Sequence, residues 1–249
     1  MTPAAPRAGA AHPALRTLLA ALDDAGLRWC LLRGADELVD PAGDIDLLLH
    51  RADVPALREA VRNRGSLAEA PAWGRRPHLQ FAGDVAGVPA KLDVMTELAF
   101  GPFGELPTTA AEPVLAARVR RGSFWAPAPA DAFWVRLLHA LFDRPAMRPD
   151  DRQALAALSL GARCDESALA DVVGAACPAP FDPGGIIDSV EAGRWSVLEA
   201  LAPELAERWP GTTTLSRART VAVRRTLRRA HRLQRTARMA SKRRARSTG

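Results

Sequence analysis

Two aspartates one residue apart, Asp44 and Asp46, head the stretch Asp44-Ile45-Asp46-Leu47-Leu48-Leu49. In an extended chain residues two apart project from one face, so both carboxylates point one way while Ile45 enters a core. Two anions side by side call for a cation. A third acid, Asp93, lies between Leu92 and Val94 in the run Val88 to Thr96, where a carboxylate in a central strand is costly without a partner or a metal ion. If the two strands are neighbours, Asp93 stands roughly 5 Å from the pair. The three acids then form a patch suited to one or two magnesium ions, which take hard oxygen ligands and substrate phosphates. Upstream, Leu31-Leu32-Arg33-Gly34 closes an earlier apolar run; a glycine there admits a phosphate close to the backbone and Arg33 neutralises its charge. Plainer readings use the same residues: Asp44 as part of a Pro-Ala-Gly-Asp turn, Asp46 solvated at a strand end, Asp93 paired with Lys91 two residues back, and Arg33-Gly34 as a strand-to-loop turn.

The elements that must carry these groups follow from periodicity. Leu15, Leu18, Leu19 and Leu22 recur at helical spacing between Pro13 and a closing Gly26, which predicts an amphipathic first helix. Strands are expected at 27–32 and 44–50, separated by the turn signal Pro41-Ala42-Gly43. Asp53 is placed to cap a helix through Val54, Leu57 and Val61 to Gly65, with Pro55 tolerated in its first turn. Two further strands, 79–82 and 88–96, are expected around Gly83-Asp84 and Gly87. From residue 112 the pattern turns helical, over 112–121, 130–143, 150–160, 165–176, 186–192 and 194–208. The fold class is therefore α+β: a mixed sheet with flanking helices over 12–105, a helical domain over 106–210, and an Arg-rich tail over 211–249.

Composition narrows the classes. The 249 residues are 48% apolar, with 18 Gly and 20 Pro, ample for a core and unlike collagen or a wholly disordered chain. No run of eighteen apolar residues and no signal pattern is present, and Cys30, Cys164 and Cys177 form no CxxC pair; a cytoplasmic protein with reduced thiols and no structural zinc is expected. The net charge of +6 hides an asymmetry. No acid follows Glu207, and residues 208–249 hold fourteen of the 34 Lys and Arg, leaving a body of 28 acidic against 20 basic residues. The chain is an acidic body with a cationic arm, not a basic fold built around nucleic acid.

The order strand, Arg-Gly, loop, Asp-Ile-Asp strand, then a strand bearing a third Asp, resembles the nucleotidyltransferase superfamily with its polymerase-beta-like fold. The phrases LLRG, DIDLLL, KLDVMTELAFG and DAFWVRLLHALFDR are most similar to nucleotidyltransferase-like proteins encoded near bacterial glycan-assembly genes. The resemblance covers roughly residues 12–160 and is most specific in DIDLLL and LDVMTELAFG. It implies that Asp44, Asp46 and Asp93 are the catalytic and metal-binding acids, and that Gly34, with Arg33 and Lys91, contacts the nucleotide. It further implies two magnesium ions, a nucleoside triphosphate (ATP) as co-substrate, and a small-molecule or glycan-related acceptor whose hydroxyl expels pyrophosphate. Asp93 is also placed to take the proton. Ala35 stands where the superfamily usually has Ser or Gly. That lost hydroxyl favours an alternative, a catalytically reduced binding or regulatory module that carries the basic tail to an anionic partner.

Other candidates carry less. Glu97 and Phe100-Gly101 are placed to close one wall of the cleft, Glu97 being equally well a surface acid. His78 reads as a structural histidine that could also contact substrate. His139 and Asp143, four apart on a helix, pair on its face. GxGxxG, GxxxxGK[ST] and GxSxG are absent, so dinucleotide-binding, P-loop and serine-hydrolase readings lack their loops. In the tail, Val223, Leu227, Ala230 and Leu233 recur near helical spacing among arginines, a pattern suited to a membrane surface, RNA, a partner protein or the acidic body itself. Without interleaved aromatics beyond Trp209 it gives no base stacking.

Overall fold

The structure, a computed structural model, describes residues 12–33, 38, 44–63, 67–70, 78–101, 104–144, 146–164 and 166–212. The first helix, α1 (Pro13–Asp24), buries Leu15, Leu18, Leu19 and Leu22. It starts on proline with His12 Nδ1 accepting from the Ala14 N–H, and stops at Gly26, whose φ of +67° favours glycine. β1 (Trp29–Arg33) and β2 (Asp44–Leu49) follow, then a 3-10 turn at Arg51–Asp53 and α2 (Val54–Asn63). Asp53 does not cap α2. It accepts from the backbone N–H of Arg28 at 2.9 Å and from that guanidinium at 3.0 and 2.7 Å; a forked, charge-assisted pair outweighs a single cap bond.

β3 (Leu67–Ala70), β4 (His78–Val85) and β5 (Val88–Met95) complete a five-stranded mixed sheet in the order β1-β2-β5-β4-β3. β2 and β5 run parallel, and the other neighbours run antiparallel. The hairpin between β4 and β5 turns on Ala86 and Gly87, with φ of +53° and +84°, as a two-residue turn of the primed type requires. Gly83, expected at the turn, lies inside β4 opposite Ala90.

Beyond the sheet come β6 (Ala99–Phe100), β7 (Leu106–Pro107), α3 (Ala111–Ala116), β8 (Val119–Arg121) and β9 (Phe124–Ala126). The helix expected over 112–121 therefore ends at Ala116. Its second half is drawn into a hairpin because Trp125 is anchored elsewhere: Asp23 Oδ1 accepts from the indole N–H groups of Trp29 at 3.0 Å and Trp125 at 3.1 Å, and Asp23 Oδ2 accepts from Arg120. Five helices follow: α4 (Pro129–Phe142), α5 (Pro149–Cys164), α6 (Ala168–Ala176), α7 (Pro183–Glu191) and α8 (Trp195–Arg208). The 211–249 tail is described only at residues 211 and 212; its remainder lies outside the described residues. Among the described residues no helix is long and apolar enough to cross a membrane.

Strand alternation divides the buried residues into two clusters. Trp29, Leu31, Ile45, Leu47, Leu49, Phe81, Leu92 and Val94 face α1 and α2. On the opposite face Cys30, Leu48 and Met95 join Phe133, Trp134, Leu138 and Trp209 of the helical part. The sheet is thus covered more completely on one side than on the other.

One buried carboxylate lies in the helical part. Ser167 caps α6, accepting from the Leu169 and Ala170 N–H groups, and donates its hydroxyl to Asp131 Oδ1 at 2.6 Å. Burial raises the Asp131 carboxyl above its ordinary value, the Ser167 hydrogen bond opposing this in part. A carboxyl raised in the folded state contributes stability that is fully present below its unfolded value and is lost as pH rises through the folded one. Asp131→Asn keeps an acceptor for Ser167 and removes the charge. We expect its thermal midpoint to exceed that of the parent at neutral pH and the gain to vanish below about pH 4; a gain independent of pH would contradict this account.

Candidate functional site

Two neighbouring strands bring Asp46 and Asp93 together. Parallel pairing of β2 and β5 sets Asp44 opposite Lys91, Ile45 opposite Leu92 and Asp46 opposite Asp93. Residues directly opposite share a face, and neighbouring strands lie about 4.8 Å apart. Asp46 and Asp93 are therefore adjacent on one face, the face away from α1 and α2, because their neighbours Ile45, Leu92 and Val94 fill the core on the other. The row continues with Gln80 opposite Asp93 on β4, while on β1 the backbone of Arg33 pairs with Asp46 after an irregularity between Leu31 and Arg33. A register one residue different would have separated the acids across the sheet.

This face has two halves. Toward one end Cys30, Leu48 and Met95 are buried under the helical part. Toward the other, Asp46, Lys91, Asp93 and Gln80 are only partly buried and Ala82 is exposed. These polar side chains sit where the sheet's second cover stops. The side chains of Arg33 and Asp44, and all of Gly34 and Ala35, lie outside what is described. Among the described residues no three of His, Cys, Asp and Glu stand together as a metal cage. Magnesium does not need one, since one or two carboxylates plus substrate phosphates and water complete its octahedron. The hard oxygen donors of Asp46 and Asp93 fit that ion.

His78 joins this site. Its Nδ1 lies 3.4 Å from Asp93 Oδ1, and each side chain is about one-fifth exposed. Sequence reasoning favoured a structural role for His78 because no periodicity shows which residue of β4 lies beside Asp93. The available signal was alternation: His78, Gln80 and Ala82 share a face opposite Leu79 and Phe81.

Other candidates fall elsewhere. Glu97 meets Arg51 at 3.4 Å on the surface, while Phe100 is 4% exposed and packs edge-on to Trp209; Phe100 is core, not a cleft wall. The pairing of His139 with Asp143 is present at 2.7 Å and belongs to a longer chain. Asp143 also accepts from the Gly101 N–H, Arg144 Nε donates to His139 Nε2 at 2.9 Å, and Asp151 receives Arg144 and Arg136 at 3.2 and 3.3 Å. That chain fastens the segment after β6 to α4 and α5. Burial pushes the Cys30 thiol up to about 12 and the Cys177 thiol to about 11, so neither offers a thiolate nucleophile at neutral pH.

Comparison of the chain with family models, curated proteins and solved structures found no match.

Proposed function

We propose that this chain is a magnesium-dependent nucleotidyltransferase that moves a nucleoside monophosphate from a nucleoside triphosphate to a hydroxyl-bearing acceptor. The observation that carries the reading is the register of Asp46 with Asp93 on the half-covered face of the sheet. Two carboxylates at strand spacing repel each other unless a cation lies between them. Here they stand side by side on a partly open surface, where a metal and a polyphosphate have access. Magnesium, when bound, screens the phosphate oxygens and makes the α-phosphorus electrophilic.

The chain's own residues then have distinct tasks. Asp46 and Asp93 hold the ion, joined by Asp44 from the same strand. Arg33, at the end of the row on β1, and Gly34 after it receive the β- and γ-phosphates, and Lys91, opposite Asp44, adds a positive charge. The acceptor oxygen attacks the α-phosphorus, its O–H proton passes to Asp93, the bond to the β-phosphate oxygen breaks, and pyrophosphate leaves with that electron pair. The acceptor is a small-molecule or glycan-related hydroxyl, and ATP is the donor to assay first.

Ala35 favours a second reading, a nucleotidyltransferase fold that has lost turnover and serves as a binding module for an anionic partner of the cationic arm. Thermal stabilisation separates the two. A ligand that binds only the folded state at a hundred times its dissociation constant adds about 2.7 kcal/mol. For the enzyme we expect a raised thermal midpoint with ATP or another nucleoside triphosphate that depends on magnesium. No shift with any of the four common nucleoside triphosphates refutes the enzyme and leaves the module.

A further inference from the structure

An in-line displacement needs its entering and leaving oxygens on opposite sides of the phosphorus. The sheet order is β1-β2-β5-β4-β3. On the reading above, the β- and γ-phosphates lie toward β1 and the ion lies between β2 and β5, so the acceptor has to approach from the other side, over β4 and β3. Strand register sets what it meets there. The row through the acids runs Asp46, Asp93, Gln80, Ala70, and the next runs Lys91, Ala82, Ala68. These residues face away from α1 and α2, since Leu67, Leu79 and Phe81 pack in the cluster on the opposite side. Ala68 and Ala82 are exposed, and Gln80 and Ala70 are partly buried. Past Asp93 the three alanines make a low floor without hydrogen-bonding side chains, and Gln80, about 5 Å from Asp93 across the ladder, carries the polar group of those two rows.

We propose that Gln80 binds the acceptor and selects one that carries a second hydroxyl beside the reacting one, a vicinal diol. A side-chain amide has a carbonyl that accepts and an NH2 that donates, and a hydroxyl, which does both, satisfies either half of it. The spacing assigns the two hydroxyls separate partners. The first bonds to the α-phosphorus, its proton passing to Asp93, while the bond to the β-phosphate oxygen breaks and its electron pair leaves on pyrophosphate. The second, one strand further along the row, is held by the Gln80 amide. This rests on the nucleotidyltransferase reading and deepens it, adding a residue that the sequence resemblance does not assign.

The test is magnesium-dependent pyrophosphate release from ATP by the full chain, with methyl glucoside, methyl mannoside and cis-cyclohexane-1,2-diol as diol probes and cyclohexanol as the monohydric one. A site that hydrogen-bonds a substrate hydroxyl discriminates against an analogue lacking it, and for a partly exposed amide we expect the parent to favour at least one diol over cyclohexanol by about 10–100-fold in kcat/KM. Gln80→Leu, similar in size and without the amide, should bring that ratio to within about threefold. The ratio compares two alcohols on one protein, so a merely structural role for Gln80 would not move it, and thermal midpoints confirm that the variant is folded. A diol preference kept by Gln80→Leu overturns the inference, as does a parent that shows no preference or turns over none of the four probes. Absence of a magnesium-dependent rise in the parent's thermal midpoint with nucleoside triphosphates overturns the nucleotidyltransferase reading itself, so the two failures are told apart by the unmodified protein.

Discussion

Asp93→Asn is expected to lower magnesium-dependent pyrophosphate release by about a thousandfold or more, equivalent to roughly 4 kcal/mol of transition-state stabilisation. Asparagine keeps the shape, the strand and one acceptor oxygen. It removes the charge that balances the ion and the base that takes the acceptor proton. Asp46→Asn and Asp44→Asn should fall by similar factors, and the Asp46→Asn/Asp93→Asn double variant should be little worse than either single one, because groups acting on one ion are not additive. The check is a coupled pyrophosphate assay over a magnesium titration, with thermal midpoints confirming that each variant is folded. Retained turnover in both Asp44→Asn and Asp93→Asn would refute the assigned roles.

The second large effect concerns folding. Trp209 is fully buried directly after α8, with Phe142 edge-on at 5.5 Å and Phe100 at 6.4 Å, and its indole N–H donates to the Pro107 carbonyl at 2.8 Å. It joins α8, α4 and the β6–β7 pair in one contact. Truncating a buried large aromatic costs about 3–5 kcal/mol, a large share of the ~5–15 kcal/mol that keeps a domain folded. Trp209→Ala should therefore lower the urea midpoint by more than about 1 M at unchanged slope. Trp209→Phe, which retains an aromatic ring but no donor, should lose clearly less. An unaltered midpoint in Trp209→Ala would mean that α8 contributes nothing to the cooperative unit.

The helices with strong apolar spacing were legible in the chain: α1, with Leu15, Leu18, Leu19 and Leu22 buried, and the run from α4 to α8. So were β2 and β5, where an acid stands among aliphatic residues. The missed elements share a physical cause. β3, with the sequence Leu67-Ala68-Glu69-Ala70, has no strand propensity to speak of; its pairing with β4 and the fork from Arg58 to Glu69 at 2.9 and 2.8 Å place it. β8 falls at the end of the helix expected over 112–121, and β9 in no expected element, because Asp23, about a hundred residues earlier in the chain, decides where Trp125 goes. Asp53 was read as a cap because Arg28 is distant in sequence. For the site, the one-sided projection of each acid follows from alternation, whereas the pairing of 46 with 93 and the arrival of His78 are matters of register between strands, which no local pattern encodes.

One feature of β5 constrains how such a site can change. Leu92 and Val94 seal one interior, Met95 enters the other, and Asp93, with Lys91 two residues before it, faces the half-covered surface. A single inserted or deleted residue upstream in that strand would plunge the acid into hydrocarbon and float a valine into water in the same stroke. Reaction and scaffold are thus written in one reading frame: point substitutions can silence the acid and spare the architecture, but no length change in the strand can retune the first without wrecking the second.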